Sequence, residues 1–218
     1  MRTMKRLTMR RQPIVTYAGV AAILFSSACQ SGEIIELSVT ELDNEYKLWV
    51  VAVLDAPADY VYRVITDYRH AYRINPAITS VDILPADRYG LVRVRNRSEH
   101  RVGLLSFDVE WVGDIEETED RGINITTIPE AGSFESGTAH WEIRSQGERT
   151  WVLHESRLTP NLYIVPVIGD YIMKKHMKAE TMATFNRIEC HAQIMLETDM
   201  EVVPERLKAV LIQKPKCI

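Results

Sequence analysis

The chain of 218 residues is 46% hydrophobic and 26% charged, with 10 Gly, 9 Pro and 3 Cys, which excludes collagen-like, disordered and disulfide-dense classes. Its formal charge is -4, from 26 basic and 30 acidic residues, yet Arg2, Lys5, Arg6, Arg10 and Arg11 all fall in the first 28 positions, which hold no acid. Without that segment, 21 basic residues face 30 acidic ones, a net of -9, and a body so acidic excludes a nucleic-acid partner, because phosphate contacts need clustered Lys and Arg.

The basic segment reads as an address. Met1 to Arg11 is a charged n-region, and Ile14 to Phe25 (IVTYAGVAAILF) is an apolar run of the length of a signal-peptide h-region. It is too short for a permanent span, which takes about 20 residues. Small residues follow at Ser26, Ser27 and Ala28, so residues 1–28 are expected to be a signal peptide. The sequence SSAC resembles a bacterial lipobox, with Cys29 as the lipidated first residue, although Ser26 stands where that pattern prefers Leu. Simple secretion is the alternative. Either route places the body in the bacterial envelope, periplasmic or held to a membrane by an N-terminal lipid.

Beyond the polar linker at Gln30 to Gly32, Glu33–Thr40 and Glu45–Asp55 read as two strands joined through Asp43-Asn44. Ala56-Pro57-Ala58-Asp59 then opens a short helix whose Val61, Val64, Ile65 and Tyr68 share one face. From Thr79 the period changes to two. Strands are predicted at Ser80–Leu84, Gly90–His100, Leu104–Glu116, Gly122–Thr127, Ser133–Ser145 and Thr150–Leu158. Arg93, Arg95 and Arg97 occupy one face of their strand, which reads as a solvated row paired with acids on a neighbour. After Pro160 and Pro166 a long helix is predicted from about Gly169 to Leu196, with Ile168, Tyr171, Ile172, Ala179, Met182, Ala183 and Cys190 on its inner face despite the intrusion of Lys175 and Asn186. Residues 199–218 form a tail with a short helix opening at Pro204.

Two stretches carry a resemblance. VVAVLDAPADYVYRVITDYRHAYRINPAI, from Val50 to Ile78, resembles the opening of the START-like or SRPBCC superfamily, which includes polyketide cyclases/dehydrases and coenzyme Q-binding proteins. TPNLYIVPVIGDYIMKKHMKAETMATFNRIE, from Thr159 to Glu189, resembles that superfamily's Pro-rich lead into its gripping helix. The resemblance spans roughly Glu33 to Leu196 and assigns residues 33–198 to one domain. It implies an α+β helix-grip fold, a curved antiparallel sheet wrapped around a long C-terminal helix, with an internal apolar cavity for a hydrophobic small molecule. The expected lining is Phe107, Trp111, Trp141, Ile143, Tyr171, Ile172 and Met182, with Tyr68 and Tyr72 near the mouth.

Catalytic signatures are scarce. The six histidines form no H-x-H, H-E-x-x-H or helical pair with one another, so a metal site would need unrelated positions to converge, and none is assigned. No nucleophile elbow, Walker loop or dinucleotide fingerprint is present, and no cofactor is implied. His140 and His154, on successive strands, are the candidates for an acid/base pair meeting in the cavity. Cys190 and Cys217 form a possible disulfide tying the tail to the long helix. The leading expectation is binding or transport of a lipid, quinone or sterol-like molecule. A cyclase/dehydratase enzyme using the same cavity, or a protein-interaction module with a collapsed cavity, are the alternatives. The sequence carries no signal for the oligomeric state.

Overall fold

In the computed structural model, residues 32–102, 105–129, 131–161 and 168–200 are described. The expected signal peptide at 1–28, Cys29, Cys217 and nearly all of the tail lie outside them. Eight strands and two helices follow in the order β1 (Glu33–Leu42), β2 (Glu45–Leu54), α1 (Ala58–Ile65), a 3-10 segment (Tyr68–Arg73), β3 (Ile78–Leu84), β4 (Leu91–Val102), β5 (Leu105–Glu117), β6 (Gly122–Thr127), β7 (Phe134–Gln146), β8 (Arg149–Pro160) and α2 (Ile168–Met200). Each strand read from the alternating pattern forms, with ends displaced by one or two residues. The helix-grip architecture is the one expected.

The local signals have visible causes. Asp43 and Asn44 both take positive φ (53° and 65°), the two-residue turn that matches the twist of an antiparallel hairpin. Pro57 supplies the N-cap of α1 with φ -65°, and its carbonyl accepts from the Tyr60 and Val61 amides. All pairings are antiparallel, in the spatial order β1-β2-β8-β7-β6-β5-β4-β3. The connection from β2 to β3 therefore crosses the full width of the sheet, from the β1-β2 hairpin to the opposite edge. That crossing is made by α1 and the 3-10 segment, and α1 packs against α2, β7 and β8.

The result is a grip with two unequal ends. At one end α1 and the second half of α2 fill the concave face. Val50, Ala52, Val61, Val152, Ile188 and Ala192 are completely excluded from solvent there. Each buried Val or Ile contributes about 1.5–3 kcal/mol. Glu189 pins this end: its carboxylate accepts from the Gly32 amide and the Asp55 amide, both at 3.0 Å. Gln193 adds a bond from Nε2 to the Asp55 carbonyl at 2.8 Å, and the buried Thr150 hydroxyl donates to the Ala56 carbonyl. At the other end, around the first half of α2, no further element among the described residues fills the space.

The outer face is wet, as the arginine row implies. Arg93 makes a two-pronged pair with Asp114 on β5 and reaches Asp87, both at 2.7 Å, while Arg97 pairs with Glu110 at 2.7 Å. The Arg93 guanidinium holds the Asp114 carboxyl below the usual carboxylate range. Cys190, half-buried on α2, is disulfide-bonded to a residue outside the described ones. Among the described residues no helix is long and apolar enough to cross a membrane.

Candidate functional site

The unfilled end of the grip encloses a cavity of about 310 Å³, at the lower end of the range for small-ligand sites. Its walls come from the inner rows of β2, β4, β5, β7 and β8 and from α2. Phe107, Phe134, Trp141 and Phe185 supply aromatic surface, and Leu48, Val109, Leu158, Met173 and Met177 supply aliphatic surface. Polar groups come from Tyr46, Asn75, Ser133, His154, Ser156, Thr181 and Thr184, with a cluster of His100, His176 and Glu180. Space on this scale does not fit the collapsed-cavity alternative.

The centre of the wall is rigid. Trp141 and His154 are cross-strand partners on β7 and β8, and their rings stack at 3.9 Å and 25°. Phe185 of α2 stacks on the same indole at 5.6 Å and 21°. The His154 ring bonds through Nδ1 to the His140 carbonyl at 3.2 Å, which makes Nδ1 the protonated nitrogen and leaves a lone pair on Nε2. Burial is the main reason its pKa falls to about 4, only partly opposed by that hydrogen bond. His154 is therefore neutral at physiological pH. Tyr46 donates to Asp170 Oδ1 at 2.8 Å and ties β2 to the first turn of α2. Burial first, then that carboxylate, push its phenol pKa up and keep it protonated.

Of the residues expected in the lining, Phe107 and Trp141 face the cavity, and so does His154 of the two acid/base candidates. The rest do not, each for a definite reason. Ile143 is core, with 1% exposure. Trp111 shares the inner face of β5, but its indole folds over Gly113 and donates from Nε1 to Thr127 Oγ1 at 2.9 Å. A Cβ at Gly113 would lie 2.2 Å from Trp111 Cζ2, so the missing side chain is what admits the ring. Tyr68 donates to Glu117 Oε1 at 3.0 Å, away from the mouth, and Tyr72 is 46% exposed with its ring edge against His70. His140 and His154 do not meet. Strand alternation puts His140 opposite Glu155 on the outer face, where its Nδ1 bonds Asn124 Oδ1 at 2.8 Å.

The expected inner face of α2 is on the wrong side. Tyr171 and Met182 are 66% and 50% exposed, and Ile172 lies outside the lining. The true inner row is Met173, His176, Met177, Glu180, Thr181, Thr184, Phe185, Ile188 and Ala192, nearly opposite the predicted one at about 100° per residue. The physical reason is that polar residues line the cavity while Tyr171 and Met182 face solvent, which inverts the usual rule for an amphipathic helix. Lys175 and Asn186 on the predicted face were the available warning.

A further set was missed outright. His100 of β4 meets His176 and Glu180 of α2 at the cavity wall, with mutual distances of 2.9–3.2 Å. Unrelated positions do converge here. His176 and Glu180 lie four apart and so share a helix face, but comparing histidines only with one another passes over them.

A family model for polyketide cyclase / dehydrase and lipid transport matches residues 54–174. Among solved structures, the fold is similar to the ZhuI aromatase/cyclase from Streptomyces sp. R1128, at 17% identity and a TM-score of 0.59 over 70% of this chain and 96% of that one. A START superfamily protein from Mycobacterium smegmatis aligns at 14% identity and a TM-score of 0.53, over 66% and 97% of the two chains. A STAR-related lipid transfer protein from Xanthomonas axonopodis aligns at 12% and 0.51, over 72% and 98%. No curated protein matches the chain.

Proposed function

The chain belongs to the polyketide cyclase / dehydrase and lipid transport family, and on that premise we propose that it binds a hydrophobic small molecule between its sheet and α2 and carries it in the bacterial envelope. The observation that carries this reading is the 310 Å³ cavity, walled by Phe107, Trp141, Leu48, Met173 and Met177. Apolar surface supplies the attraction and the polar groups fix orientation. The volume suits a one- or two-ring molecule or a short acyl segment of a larger lipid, quinone or sterol.

The cyclase-type alternative asks for a proton-moving group. His154 has the exposed lone pair for it, but a base whose pKa is about 4 removes protons poorly at neutral pH. That weighs toward binding. The basic leader, the twelve-residue apolar run and Cys29 support export, with a membrane reached through a lipid on Cys29.

Mass spectrometry of the protein purified without detergent is the test. A co-purifying apolar ligand, displaced by a hydrophobic fluorophore, is the expected result. A chain that arrives empty and takes up no fluorophore would overturn the reading. Intact mass and a thiol count check the anchor: a lipid adduct on Cys29 is expected, with Cys190 bridged to Cys217. A Cys29–Cys190 bridge would eliminate the lipid anchor.

A further inference from the structure

His100, His176 and Glu180 come from distant parts of the chain and close into a triangle. His100 Nδ1 lies 3.1 Å from His176 Nε2 and 2.9 Å from Glu180 Oε1, and His176 Nε2 lies 3.2 Å from the same oxygen. Protons alone satisfy at most two of the triangle's three edges. Each atom either carries a hydrogen or does not, so among three mutually adjacent atoms at least two are alike. One edge must then set donor against donor, or acceptor against acceptor.

One tautomer of His100 prepares a cation site. Ser98 Oγ donates to the Val109 carbonyl at 3.4 Å, so its oxygen is free to accept from His100 Nε2, 2.8 Å away. In the neutral ring protonated at Nε2, the Nδ1 lone pair turns toward the Glu180 oxygen, which is the form in which His100 can ligate a cation. In that neutral form two acceptors face each other at 2.9 Å. A cation bound by all three atoms removes the conflict, because each offers it a lone pair.

We propose that His100 Nδ1, His176 Nε2 and Glu180 Oε1 bind a divalent transition-metal ion, zinc best among them. Zinc at about 2.0–2.1 Å from tetrahedrally arranged N and O ligands holds them about 3.3 Å apart. The three edges fall short of that spacing by about 0.4 Å at most, so small side-chain adjustments complete the site. Two imidazoles and a carboxylate select zinc, copper, nickel or iron(II) over calcium and magnesium. The outer support is in place: Ser98 Oγ lies 2.8 Å from His100 Nε2, and Phe107 stacks on the same ring at 5.7 Å and 21°. All three ligands line the cavity, so the ion borders the ligand space and has room for a fourth ligand from an oxygen-bearing guest. The site stands on its own geometry whether or not the carrier reading holds.

Titration of the exported chain, as the cell processes it, with zinc against a chromophoric chelator tests the proposal. One zinc per chain is expected, and cobalt(II) in its place should give the intense visible bands of tetrahedral coordination. His176→Gln and Glu180→Gln should each weaken binding by at least about 100-fold, since loss of an outer-shell partner alone costs 10–100-fold. Ser98→Ala should weaken it about 10-fold at unchanged stoichiometry. His70→Gln, outside the cavity, should bind as the native chain does, and circular dichroism confirms that each variant is folded. Absence of saturable binding, affinity unchanged in both His176→Gln and Glu180→Gln, or equal affinity for magnesium would overturn the site.

Discussion

The two halves of α2 face the same sheet and do opposite things. From Phe185 onward the inner row is Phe185, Ile188, Ala192 and Met195, packed against the sheet and α1 with Ile188 and Ala192 wholly buried. Before it, the inner row is Met173, His176, Met177, Glu180, Thr181 and Thr184, and the concave face stays unfilled. The difference arises from what crosses the sheet. At the packed half α1 closes the end, and Phe185, Ile188, Ala192 and Met195 meet it with apolar side chains. At the open half no helix among the described residues fills the concave face, and α2 presents polar groups inward. A single helix can be structural in one half and functional in the other when one end of its sheet is plugged and the other is not.

Ile188→Ala probes the packed half most severely. Its side chain is fully enclosed, so the substitution should cost about 3–4 kcal/mol in urea unfolding. A loss below about 1 kcal/mol would mean that this end is not a close-packed core.

The second effect sits at the boundary between halves and depends on pH. The unfolded chain protonates His154 near 6.5, whereas the folded chain refuses the proton until about pH 4. Stability from this group is complete above pH 6.5 and falls as the pH drops toward 4, by about 3 kcal/mol in total. His154→Gln should remove that slope from a series of urea midpoints between pH 7 and 4. An identical slope in the variant would assign the loss to other groups.

Glu189→Ala should rank third, at about 2 kcal/mol, because two backbone amides lose a charged acceptor. Faster amide exchange at Asp55 would locate the damage. The smallest effect on stability belongs to the open half. Thr184→Phe projects into the cavity and should change stability by no more than about 1 kcal/mol, because a void absorbs the added volume. Uptake of a hydrophobic fluorophore should nevertheless fall by at least about ten-fold, estimated from the apolar surface lost to the guest. Unaltered uptake would move the ligand elsewhere.

The sequence by itself determined the elements and their order. Alternation along β5, the turn residues Asp43-Asn44 and the Ala-Pro start of α1 are local signals, each set by backbone geometry within a few residues. The resemblance carried by Val50 to Ile78 and Thr159 to Glu189 supplied the fold class and, with the strand alternation, Phe107 and Trp141 in the lining. The tertiary structure alone decided which side of α2 faces inward. Periodicity reports where apolar residues gather, and a helix that lines a cavity with His176, Glu180, Thr181 and Thr184 breaks the link between apolar and inside. It also decided that Trp111 bends away over Gly113 and that His140 faces outward while His154 lines the cavity. The meeting of His100 with His176 and Glu180 joins residues 76 positions apart. No local pattern encodes that distance; only the curvature of the sheet around α2 closes it.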